Sequence, residues 1–137
     1  MGFKIGRILV ILSLSLLFLA YSNFAPTALQ SDTIEGYVKN HFVREIIFGI
    51  ALTVWAIKLA LQPITTLPFK QLALIGSIVI FPFWIAVLFS WSTQGLAKVW
   101  GGAINESAAY MLHGTQVGLF LLGLLLIYLA QSKRTDK

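Results

Sequence analysis

The chain has 137 residues, of which 58% are hydrophobic and only 11% charged, where a soluble domain carries roughly 25% charged residues. Ten Lys and Arg against five Asp and Glu give a formal net charge of +5. The basic residues cluster at the ends of apolar runs and form no stripe, a placement that suits membrane orientation and offers nucleic acid no surface. Cysteine is absent, which excludes disulfides, thiolate catalysis and Cys-ligated metal centres. The length allows one domain, an all-α polytopic membrane bundle over residues 1–137 with no separate soluble catalytic unit.

The first apolar run, Ile8 to Ala20, follows Lys4 and Arg7, which is also how a secretory signal begins, and Ala20-Tyr21-Ser22 has the small-x-small form of a cleavage site. We read it as a retained first transmembrane helix over residues 6–24, ended by Pro26. Residues 23–33 read as polar and turn-like. Asp32 with Glu35 three positions on then makes a capping-box-like start. Ile34, Tyr37, Val38, His41 and Phe42 follow at helical spacing, the pattern of a short interfacial helix running into the next span.

The second span is expected over 43–61. Lys58 lies near its inner end, close enough for its ammonium to snorkel to headgroups. Gln62-Pro63 and Leu67-Pro68 bracket a brief connection, because proline ends helices more readily than it sits inside them. The third span, 71–91, contains Gly76 and Pro82, and Pro82 deprives the Ile78 carbonyl of its partner, so a kink is expected there. Trp84, Trp91 and Trp100 fall toward its outer end and the next loop, where an aromatic belt belongs. After a glycine-containing loop the fourth span covers 108–131, and a charged tail closes the chain. The two hairpins show no internal repeat, so the inverted-repeat transporter plan finds no support.

With the N-terminus inside, inner segments hold Lys4, Arg7, Lys58, Lys70, Lys133, Arg134 and Lys137, and outer segments hold Lys39, Arg44 and Lys98. Seven against three fixes the expectation that both termini are cytoplasmic. The expected location is a bacterial inner membrane.

The fourth span carries the densest polar and small-residue grouping, Ala109 to Gly118. Gly114 and Gly118 form a GxxxG step, which lets another helix backbone approach closely. His113 stands one to two turns inside the outer end, where an ionisable group usually faces protein or water. A neutral imidazole there is able to ligate haem iron or chlorophyll magnesium. Ala109, four before His113, is similar to the ligand step of bacterial antenna polypeptides, a resemblance that covers these two residues. The structural alternative, which we favour, is a histidine hydrogen-bonded within the bundle alongside Gln116 and Thr115.

His41 and Glu45 share a helical face, a spacing that metal sites use. With Glu106 and His113 they make a four-residue candidate for a metal or proton-handling site at the outer face. The competing reading, which we favour, is a solvated interfacial cluster with Glu45 paired to Arg44 or a headgroup. Asn105-Glu106-Ser107 matches the glycosylation sequon but abuts the fourth span. No Gly-rich phosphate loop, HExxH, nucleophile elbow or carboxylate pair deep in a span is present, so no catalytic residue is assigned.

These readings lead to a small accessory or structural subunit of a larger integral membrane complex of respiratory, photosynthetic or metallo-oxygenase type. Its partners are other integral membrane subunits and lipids. The alternatives are a cofactor-bearing subunit with His113 as haem or chlorophyll ligand, and a small oligomeric transporter or channel lined by Gln116, Thr115, His113 and Lys58.

Overall fold

A computed structural model describes residues 1–30, 36–92 and 106–135. Among these residues the chain is all-helical, with α1 spanning Gly2–Gln30, α2 Gly36–Ala60, α3 Phe69–Ser92 and α4 Glu106–Thr135. Among the described residues one segment, Met111–Lys133, is both long and apolar enough to cross a membrane, and Phe69–Pro82 is a shorter apolar helix.

The helices run longer than the sequence suggests. α1 continues through Pro26 to Gln30, so Pro26 does not end it and residues 23–30 are helix, not turn. A proline removes one amide donor, and a helix held by packing over many turns can absorb that loss. No break separates the stretch expected to form an interfacial helix from the second span, since α2 is continuous from Gly36. The Asp32/Glu35 cap lies outside the described residues. α3 likewise passes through an exposed Pro82 without interruption. Trp84, Trp91 and Trp100 fall outside what is described of the side chains.

The connection between α2 and α3 is tight, as its prolines predict. The amides of Thr66 and Leu67 both donate to the Pro63 carbonyl, at 3.0 and 2.9 Å, and the Leu72 amide donates to Pro68 at 3.0 Å to start α3. Two loop carbonyls, those of Ile64 and Leu67, accept from Gln131 Nε2 of α4, each at 3.2 Å. That contact pins the C-terminal end of α4 to the loop. The ring of Phe69 lies 5.7 Å from that of Tyr128 and reinforces the same junction.

Contacts place α1 against α4 and α2, and α3 against α2 and α4, with α1 touching α3 across a diagonal. Every connection therefore joins spatial neighbours, the up-down-up-down order of an antiparallel bundle. Among the described residues the interior is an apolar cluster that includes Val10, Leu14, Leu17, Ala56, Ala60, Leu72, Ile75, Val79, Phe120 and Ile127. The fully buried alanines Ala56 and Ala60, one turn apart, give α2 a small-residue face toward its neighbours.

The seam between α1 and α4 is the most extensive in the bundle. On α1 the buried positions Gly6, Val10, Ser13 and Leu17 step by four and three, and on α4 Gln116, Phe120, Gly123 and Ile127 do the same. This is the spacing that keeps one stripe of a helix turned toward an antiparallel partner. The two stripes meet at Gly6 and Gly123. A Cβ on Gly6 would stand 2.7 Å from the Gly123 carbonyl oxygen, and one on Gly123 would stand 2.8 Å from that of Gly6. Only hydrogen fits between the two backbones.

Candidate functional site

Three places bear on the polar groups singled out by the sequence: the middle of the α1/α4 seam, the N-terminal ends of α2 and α4, and the basic end of the bundle. At the seam, Ser13 Oγ donates to the Gln116 backbone carbonyl at 2.8 Å, while Gln116 Nε2 donates to the Ser13 backbone carbonyl at 3.0 Å. Both side chains are buried. Each helix thus hands a side-chain donor to the other's main chain, seven residues from the Gly6/Gly123 crossing on both helices. A buried amide or hydroxyl in apolar surroundings is costly unless bonded, and here each carries a donor bond. Thr53, also buried, donates to the Gly49 carbonyl at 2.6 Å one turn back and so needs no partner helix.

His113 sits half-buried three residues before Gln116 on the α1-facing side of α4. The Gln116 side chain lies near the imidazole, which puts the histidine beside the seam clamp. Thr115 faces outward and Lys58 lies exposed in the last turn of α2. Gln116 is bonded inside the seam, whereas Thr115 and Lys58 are on the exterior of the bundle.

Of the four residues grouped as a possible metal site, Glu45 is exposed on α2 and His113 is half-buried on α4. His41 lies in the second turn of α2 and Glu106 opens α4, but their side chains lie outside the described residues. The bundle order puts the N-terminal ends of α2 and α4 at the same end, away from the α2–α3 loop. Among the described residues no three His, Cys, Asp or Glu side chains come together as a metal ion would require.

Of the GxxxG pair, Gly118 is exposed, and a Cβ added there would meet nothing within 4 Å. A close backbone crossing occurs at Gly6 and Gly123, and another glycine, Gly76 on α3, receives the ring of Phe120. An added Cβ on Gly76 would stand 2.5 Å from that ring. Neither contact is visible as a short motif. The available signal was the seven-residue repeat of small residues on α1, Gly6 to Ser13, mirrored by Gln116 to Gly123.

At the opposite end from His113, the N-terminal turns of α1, the α2–α3 loop and the C-terminal turns of α4 converge. Lys4, Arg7, Lys58, Lys70 and Lys133 all belong to this end. Arg7 lays its guanidinium 4.8 Å over the Phe3 ring, a cation–π contact within one helical turn. Two clefts open beside the loop, one of about 550 Å³ on the Lys4 and Lys133 side, the other of about 750 Å³ bordered by Lys70, Tyr128 and Gln131.

No protein-family model matches the chain, and neither a curated protein nor a solved structure shows significant similarity to it.

Proposed function

We propose that this chain is a four-span integral membrane protein that serves as a small accessory subunit, packing against other membrane subunits through the outward face of α4. The observation that carries the reading is a stripe on that face. Met111, Thr115, Gly118, Leu122, Leu125 and Leu129 step by four and three along the helix, and all six are exposed. Heptad spacing keeps a stripe aligned with a neighbouring helix over its whole length, and open space at Gly118 in its middle leaves room for a backbone to come close.

The four-span reading draws support from the outside of the bundle. Phe48 is 64% exposed, Leu74 62% and Ile78 50%, and comparable apolar side chains project from every described helix. Water penalises such surface, whereas lipid does not. The shortest of the described helices, α3 with 24 residues, is about 36 Å long at 1.5 Å per residue, more than the roughly 30 Å of a bilayer's hydrocarbon core. The basic end then faces the cytoplasm of a bacterial inner membrane, with both termini inside.

The test is native purification in mild detergent. The wild-type chain should run in an assembly larger than itself, and Gly118→Leu should release it as a monomer with helicity and thermal unfolding intact. A wild-type chain that always runs alone overturns the proposal. A haem or chlorophyll subunit ligated by His113 is separated from it by an absorption spectrum: a coloured preparation that bleaches in His113→Ala favours the ligand role.

A further inference from the structure

We propose that the cleft between the N-terminal turns of α1 and the C-terminal turns of α4 binds one anionic glycerophospholipid, its acyl chain on the apolar floor and its phosphate between Lys4 and Lys133. The inference rests on the membrane reading above and names a ligand for a place which that reading leaves unused.

The cleft is mainly apolar with two lysines on its rim. Phe3, Ile64, Leu126 and Leu129 line it together with Lys4 and Lys133, in a space of about 550 Å³. Among the described residues no acidic side chain lines it. Phe3 is held by the Arg7 guanidinium lying 4.8 Å above its ring, so part of the apolar wall is set before any ligand arrives. The two lysines come from opposite ends of the sequence. They are brought to one rim because α1 and α4 are antiparallel and locked in register by the Gly6/Gly123 crossing.

A partner that fits must present a hydrocarbon body and an anionic head at the level where helices leave the membrane. An anionic phospholipid does both. A water-soluble anion would leave Phe3, Leu126 and Leu129 uncovered, and a neutral lipid would leave the two lysines without a counter-charge. Basic pockets among transmembrane helices on the cytoplasmic side recognise anionic headgroups by this chemistry.

The experiment is native mass spectrometry of the full chain released from detergent micelles after incubation with phosphatidylglycerol, phosphatidylcholine or glycerol 3-phosphate. Phosphatidylglycerol should be retained as a single adduct, at least tenfold over phosphatidylcholine, and glycerol 3-phosphate should not be retained. Lys4→Gln and Lys133→Gln should each weaken retention about fivefold, the effect expected of one lysine near an anionic surface. Lys58→Gln should leave it unchanged. Equal retention of the two lipids, equal loss in K58Q, or binding of glycerol 3-phosphate alone would each overturn the proposal, as would a co-purifying polypeptide released by the K4Q/K133Q pair. Failure of the membrane reading registers separately, as wild-type protein washed from the membrane fraction by alkaline carbonate.

Discussion

Ser13 and Gln116 exchange donors across the α1/α4 seam, each side chain reaching the other residue's backbone carbonyl, at 2.8 and 3.0 Å. Ser13 is eleven residues along α1 from Gly2, about 16 Å at the helical rise, which places the exchange near the middle of a bilayer in the four-span reading. Interhelical hydrogen bonds in membranes average about 0.6 kcal/mol and reach about 1.7. Ser13→Ala and Gln116→Leu should therefore each lower stability by about 0.5–1.5 kcal/mol in detergent unfolding. Because each bond ends on main chain and not on the other side chain, the double variant should cost the sum of the two. A coupling above about 0.5 kcal/mol would show that the helices re-register when the clamp is lost.

The Gly6/Gly123 crossing makes a sharper demand. At both positions the nearest atoms to an added Cβ include backbone atoms of the other helix, at 2.7 Å for Gly6 and 2.8 Å for Gly123, and main chain cannot step aside as a flexible side chain does. Gly6→Ala and Gly123→Ala should each push α1 and α4 apart and cost about 1–3 kcal/mol. Gly118→Ala meets nothing within 4 Å and should be neutral or stabilising by about 0.5–1 kcal/mol, from helix propensity alone. Thermal unfolding of the three variants side by side reads the difference. Equal losses at all three sites would contradict the crossing.

Gly76 and Phe120 form a lock of another kind, in which a fully buried ring occupies the place a side chain on α3 would need. Gly76→Ala alone should destabilise by about 1–3 kcal/mol, and Phe120→Ala by about 3–5 kcal/mol through the cavity it leaves. In the Gly76→Ala background, Phe120→Leu should recover part of the loss, since the smaller side chain clears the new methyl group. A double-mutant cycle with no favourable coupling would mean that the ring rearranges freely.

The helical class was legible because long apolar runs without strand-like alternation, bounded by polar and proline-containing stretches, read as helices. The loop at Gln62 to Pro68 was legible from its prolines. Pro26 misled for the same reason that Pro63 informed: proline raises the cost of a helix but does not decide it, and α1 has enough packing on α2 and α4 to carry the residue. The Gly114/Gly118 pair drew attention because it matches a short motif, while Gly6, Gly76 and Gly123 are defined only by what lies opposite them on another helix. Such pairings depend on register. Register is a property of two segments, and no single stretch of sequence contains it. His113 and Gln116 were singled out together as polar residues in an apolar span, but the partner of Gln116, Ser13, sits in a run where serine passes for an ordinary small residue.

Orientation is the remaining step, and the absence of cysteine makes it directly measurable. Thr65 is exposed in the α2–α3 loop, at the end that gathers Lys4, Lys58, Lys70 and Lys133, whereas Asn40 is exposed near the start of α2 at the other end. Single Thr65→Cys and Asn40→Cys variants each introduce the chain's one thiol. With the basic end cytoplasmic, a membrane-impermeant maleimide added to intact cells should label Cys at position 40 and leave position 65 unlabelled until the membrane is broken. The reverse pattern would invert the bundle and put the Lys4/Lys133 cleft on the outer leaflet. Labelling of both positions in intact cells would refute the membrane-spanning arrangement itself, because the two sites lie at opposite ends of α2, a helix of 25 residues and therefore about 37 Å long.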